Sequence, residues 1–259
     1  MIQSVQKAMK ILSVIADAKN NSISLMDIAG KTGYPKATCS HLLETLCNGG
    51  YVTRVSHKEG YILGPSLYNL TRYGRYEKDF VSLCRPVMRW MEQKSHATVI
   101  LSVIRSNQKF IIDYADAEQK LFEEHPNIRT DDIYRTATGR AILSHMDRDE
   151  IKAFWDKYGT PPPGHWDEVT SYETLIQALN SIRQKDVVIS KGEKNMGEQK
   201  ANGYACPLFR RSNCIGAIGL ALKLTQEDED FNRREKELCR ILVKGSKEIQ
   251  RRLNYEDQD

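Results

Sequence analysis

Residues 36–41 read Lys-Ala-Thr-Cys-Ser-His, and four of these six side chains can bind phosphate or hydrogen-bond the edge of a base. Their spacing is helical. Cys39, Leu42, Leu43 and Leu46 recur at i, i+3, i+4 and i+7 and mark one apolar face. Lys36, Ala37, Thr38, Ser40, His41, Glu44 and Thr45 lie elsewhere around the axis. An α-helix fits the major groove of DNA, where its exposed N-terminal side chains meet phosphates and base edges. Lys36 suits a phosphate or a guanine edge, Thr38 and Ser40 suit either, and His41 can donate to guanine or to a phosphate. The plain alternative is a solvated helix face. Arg54, His57 and Lys58 follow in a hairpin-like segment, where they would reach the minor groove or only the backbone.

The elements around these residues decide between the readings. Val5, Ala8, Met9, Leu12, Ile15 and Ala16 predict an amphipathic helix from Ser4 to about Asp17. Ser24, with Asp27 three residues on, predicts a capped second helix that buries Leu25, Ile28 and Ala29. Thr32-Gly33-Tyr34 breaks it, and Pro35 suits the first turn of the third helix because its missing N–H costs nothing there. Two β-prone runs, residues 51–55 and 61–63, flank the polar segment Ser56 to Gly60 and predict a hairpin. Three helices and a hairpin in this order make a winged helix-turn-helix over residues 1–64. Charge agrees. Residues 1–75 hold nine basic and four acidic side chains, whereas the other 184 residues hold 29 basic and 30 acidic, so the net +4 comes from the first third. Such a segment can release counterions from phosphates.

Beyond Gly64-Pro65, residues 65–79 read as a linker helix and 80–259 as a second domain. A helix is expected at 80–95, strands at 97–106 and 109–117, helices at about 138–147, 148–157 and 171–184, and a strand at 187–190. A polar loop then leads to a hairpin of 203–209 and 214–224, and a charged helix from about 227 to 253 ends the chain. The class is therefore α+β, an antiparallel sheet with helices packed on it.

Other chemistry finds little support. The chain has no G-x-S-x-G, no glycine-rich phosphate loop and no H-E-x-x-H. Asp147, Asp149, Glu150, Glu123 and Glu124 read as solvated charge rather than a catalytic pair, and a Cys206 nucleophile lacks an identifiable His. The six scattered cysteines read as free thiols in a reducing cytoplasm, with a hidden metal site the alternative. No apolar run reaches the roughly 20 residues of a membrane span, and the first residues do not read as a signal peptide. The expectation is a cytoplasmic DNA-binding protein with no enzyme activity, no metal and no cofactor.

The segments SVQKAMKIL, SLMDIAGKTGYPKATCSHLLETL, GYV and YILGP resemble the IclR-type bacterial regulators, and so, more loosely, do ATGRAIL, GYACPLF and CIGAIGLAL. His41 stands where that family usually has Arg, and Ala37 where Ser is common. The resemblance implies a GAF-like C-terminal domain that binds a small effector and oligomerises, as a dimer or tetramer, on double-stranded operator DNA. It also implies an effector pocket over the sheet at Thr136, Ala137, Thr138, Gly139, Glu193, Gly203, Gly219 and Ala221. Thr138 reads as an N-cap, and the N–H groups of a helix start attract a carboxylate. The small, apolar remainder implies room for a bulkier organic acid or a pocket that has lost its ligand. The plain reading is that the glycines allow tight packing of the sheet.

Overall fold

The computed structural model describes residues 2–18, 22–56, 60–73, 78–116, 133–194, 200–223 and 231–256. The chain divides into two compact units, Met1–Lys78 and Asp79–Asp259.

The first unit is built from α1 (Gln3–Ala16), α2 (Leu25–Thr32), α3 (Lys36–Asn48), β1 (Val52–Ser56), β2 (Gly60–Leu63) and α4 (Pro65–Tyr73). Its core gathers Ile11, Ile15, Ile23, Ile28, Cys39, Leu43, Val52 and Tyr61. The third helix buries Cys39 and Leu43 and half-buries Leu42 and Leu46, as its spacing requires. In α1 the buried stripe is Ile11 and Ile15, while Val5 and Met9 are 47% and 62% exposed. At the helical period Val5 and Met9 fall on a different side of the helix from Ile11 and Ile15.

Ser24 caps α2, accepting the Asp27 N–H at 3.1 Å. The return contact is hydroxyl to carboxylate, Ser24 Oγ to Asp27 Oδ2 at 2.6 Å. Pro35 occupies the N-cap of α3, one position before the first helical turn. β1 and β2 pair antiparallel, Val52 opposite Leu63. Local patterning does not foretell an added bridge: Ile23 exchanges both backbone hydrogen bonds with Tyr61, at 3.0 and 2.9 Å. The start of α2 is thereby stitched to the base of the hairpin.

The second unit contains α5 (Lys78–Ser95), β3 (Thr98–Arg105), β4 (Gln108–Ala115), α6 (Ala137–Leu143), α7 (Arg148–Tyr158), α8 (Tyr172–Arg183), β5 (Val188–Lys194), β6 (Lys200–Arg210), β7 (Asn213–Lys223) and α9 (Phe231–Glu256). Its strands form one antiparallel sheet in the order β4-β3-β7-β6-β5. Strand alternation sorts side chains to two cores. Val99, Leu101, Val103, Tyr204, Leu220 and Leu222 pack with α5 and α9. Ile104, Ala205 and Ala217 pack with α6, α7 and α8. β5 and β6 run further into the expected polar loop than their sequence suggests. Asp147 and Glu150, read as solvated acids, form the capping box of α7.

Candidate functional site

In the first unit, α3 presents its polar residues outward. Lys36, Ala37, Ser40 and His41 are exposed and Thr38 is half-buried. Among the described residues, no side-chain hydrogen bond or ion pair engages Lys36, Thr38, Ser40 or His41. On the opposite side, the Cys39 thiol lies 3.7 Å from Thr32 Oγ1 and 3.9 Å from the Tyr34 carbonyl oxygen, so the buried face is anchored to the preceding turn. A rigid helix with unengaged donors on its exposed face is competent to read a groove. On β1, Arg54 is exposed and its guanidinium stands 5.8 Å from the centroid of Tyr61, the residue opposite it in register. His57 and Lys58 lie outside the described residues.

In the second unit, Gly203 and Gly219 of the candidate effector residues lie against Ala137 and Thr138 at the start of α6. The N-cap of α6 is Thr136, not Thr138. Thr136 Oγ1 accepts the Gly139 N–H at 3.2 Å and its carbonyl oxygen accepts the Arg140 N–H at 3.0 Å. Thr138 sits two residues further on, within the first turn, its hydroxyl 3.4 Å from Ser102 Oγ of β3. Either threonine could cap by sequence. The observed choice turns Thr138 toward the sheet and leaves the Ala137 and Thr138 N–H groups at the helix start.

Two glycines let α6 approach so closely. A β-carbon on Gly219 would stand 2.6 Å from the Thr138 methyl carbon and 2.9 Å from the Tyr204 carbonyl oxygen. One on Gly203 would stand 2.6 Å from Ser190 Oγ and 3.4 Å from the Ala137 β-carbon. Ala221 is buried in register between Thr98 and Gly203, and packs with Ala201 and Ile100. Glu193 is placed by register opposite Ala201; its side chain is outside the described residues.

Sequence reading missed a set of buried polar groups on this face. Lys109, on β4, is buried and donates to Thr136 Oγ1 at 2.9 Å. Thr98 is buried and donates to Asp116 Oδ1 at 2.8 Å; Ser102 and Ser190 are buried too. The signal was there: Thr98 and Ser102 interrupt an apolar strand at the parity of one face. Arg140, by contrast, is spent on structure. It donates to the carbonyls of Tyr134 and His165, and its guanidinium stands 4.4 Å from the Trp166 ring centroid.

No thiol on the sheet is set up as a nucleophile. Cys206 donates to the Asp186 carbonyl oxygen, and burial pushes its pKa up to about 11; burial does the same to Cys214. Among the described residues there is no cluster of His, Cys, Asp or Glu that could hold a metal, and no helix is long and apolar enough to cross a membrane.

Against protein families, the bacterial transcriptional regulator IclR C-terminal domain matches residues 76–251 and the IclR helix-turn-helix domain matches residues 4–56. The chain is 24% identical over 264 residues to the HTH-type transcriptional regulator KdgR of Escherichia coli, spanning 99% of this chain and 94% of that one. It is 22% identical over 258 residues to the acetate operon repressor of Salmonella typhimurium, spanning 96% and 89%. Among solved structures, the IclR of Thermotoga maritima matches with a TM-score of 0.68 at 19% identity over 98% of this chain and 100% of that one. An IclR homologue from Microbacterium hydrocarbonoxydans, complexed with 4-hydroxybenzoate, matches with a TM-score of 0.68 at 16% identity over 97% and 99%. At such identities the structural likeness speaks for the fold.

Proposed function

The chain belongs to the IclR family of bacterial transcriptional regulators, DNA-binding proteins and not enzymes, and from that premise we propose that it binds a two-fold operator as a homo-oligomer and responds to a small organic acid. The observation that carries the DNA half is the exposed face of α3, where Lys36, Thr38, Ser40 and His41 stand unengaged among the described residues on a helix whose other face is core. Ala37 is small enough to let that face approach the groove. Arg54, with His57 and Lys58, supplies the wing contact. A two-fold protein presents two such helices, so half-sites fall about one helical turn apart or a multiple of it. Selection of duplexes from a random pool, then titration at several salt concentrations, tests this. Equal affinity for selected and random DNA overturns it.

For the effector half, the site is the face where Thr136, Ala137, Thr138 and Gly139 meet Gly203, Gly219 and Ala221, with Glu193 at the strand end. Support comes from the buried Lys109 ammonium on the Thr136 hydroxyl and from the N–H groups at the start of α6, both of which favour an anion. The relative bound to 4-hydroxybenzoate makes an aromatic acid the first probe. The regulated genes would then be a catabolic operon, and the protein cytoplasmic. One observation favours a second reading, a C-terminal domain that only holds subunits together: Gly203 and Gly219 are in tight contact with their neighbours. A thermal shift with 4-hydroxybenzoate or another organic acid supports the sensor. No shift across a panel of such acids, with operator binding intact, selects the second reading.

A further inference from the structure

Lys7 and Lys10 belong to the basic excess of the N-terminal third, yet neither the recognition helix nor the wing includes them. They lie three residues apart on α1 and so project from one side of it. Their ammonium groups converge on one ring: Lys7 Nζ stands 5.6 Å and Lys10 Nζ 5.3 Å from the centroid of Tyr34. Tyr34 is in the turn between α2 and α3, two residues before Lys36. Lys10 also donates to the carbonyl oxygen of Thr32, the last residue of α2, at 3.1 Å. That bond holds its stem against the turn and leaves further N–H donors on the ammonium.

Among the described residues, neither lysine has a carboxylate partner. The described acids of this unit include Asp27, whose carboxylate takes the Ser24 hydroxyl. The negative face of an aromatic ring can seat cations but does not neutralise them. Two ammonium groups gathered at one turn therefore form a cationic point that calls for an anion from outside. Its place says which anion. The N-terminal end of a recognition helix is the end that enters the major groove, and the groove is walled by the sugar-phosphate backbone.

We propose that Lys7, Lys10 and Tyr34 form a phosphate-anchoring platform that grips the DNA backbone beside the half-site, apart from the base-reading face of α3. This rests on the DNA-binding reading above. Tyr34 is the positioning residue, and the two lysines make the contact. The platform adds affinity without sequence preference, because every base pair carries the same phosphodiester.

The test is fluorescence anisotropy of the full-length protein on a selected operator duplex and on a random duplex, over a salt series. Each phosphate contact contributes roughly 0.9 to the slope of log affinity against log salt. Lys7→Gln, which breaks no hydrogen bond among the described residues, should lower the slope by about one with an unchanged melting temperature. The Lys7→Gln/Lys10→Gln double variant should lower it by about two and weaken both duplexes by the same factor. Tyr34→Leu should weaken both duplexes in the same proportion. An unchanged slope in Lys7→Gln, or unchanged affinity in Tyr34→Leu, overturns the platform while the wild type still binds its operator. A wild type that prefers no operator instead overturns the DNA reading itself.

Discussion

Thr138 and Gly219 meet across the seam between α6 and the sheet, so closely that a β-carbon on Gly219 would stand 2.6 Å from the threonine methyl carbon. The contact sets how near the helix lies to the strands, and with it the room left beside its first turn.

Substitution of that glycine is therefore a packing experiment. Gly219→Ala should destabilise the second unit by about 1–3 kcal/mol, because the Tyr204 carbonyl oxygen on the other side is backbone and cannot swing away. Gly203→Ala should cost less, since its nearest neighbour is the Ser190 hydroxyl, which can rotate. Thermal denaturation of the two variants ranks them. A Gly219→Ala protein as stable as wild type would mean that α6 can lift from the sheet without cost.

In the first unit, function and stability should separate by helix face. Lys36→Ala and His41→Ala should weaken operator binding and leave the melting curve in place, since both side chains are exposed. If His41 reads a base, its loss should also relax the preferred sequence at one position, by about 1–3 kcal/mol. Leu43→Ala, a truncation of a fully buried side chain, should cost about 2–5 kcal/mol of stability. Binding titrations and denaturation on the same preparations distinguish the outcomes. A fall in stability for His41→Ala equal to that for Leu43→Ala would contradict the assignment.

At the start of α6, Thr136→Val should remove the acceptor of both the Gly139 N–H and the Lys109 ammonium. Loss of an N-cap costs about 1 kcal/mol. If an acid binds beside this turn, the same change should weaken it, and calorimetry with 4-hydroxybenzoate as the first probe reads that directly. Whatever an effector does to operator affinity, operator must do to effector affinity by the same factor. Unequal factors would mean that the two ligands are not linked through one equilibrium.

Alkaline pH should loosen the sheet. Burial raises the Cys206 and Cys214 thiols from 9.0 to about 11. A group that holds its proton more tightly when folded contributes stability that is fully present below its unfolded value. That contribution is lost as pH rises through the folded value. Stability should accordingly decline between about pH 9 and 11, and Cys206→Ser/Cys214→Ser should flatten the decline. Slow alkylation of both thiols at neutral pH is the companion result.

Periodicity and punctuation alone determined much of this protein. The spacing of Cys39, Leu42, Leu43 and Leu46 defined which side of α3 is core and therefore which side is free to read DNA. Apolar runs broken by short polar turns placed the strands at 97–106, 109–117, 203–209 and 214–224, and Ser24 with Asp27 marked the start of α2. These are local signals, because a helix or strand repeats its geometry every few residues. Tertiary structure decided what depends on a distant partner. The apolar residues of α1 fit more than one stripe, and only the position of the neighbouring helices selects Ile11 and Ile15 over Val5 and Met9. Thr136 and Thr138 are both fit to cap α6; the close seat of Thr138 against Gly219 goes with Thr136 as the cap. Lys109 reaches Thr136 from 27 residues away, and the Tyr34 ring collects Lys7 and Lys10 from a different helix. Contacts between residues so far apart in the chain leave no periodic trace in it, since they exist only once the elements have packed.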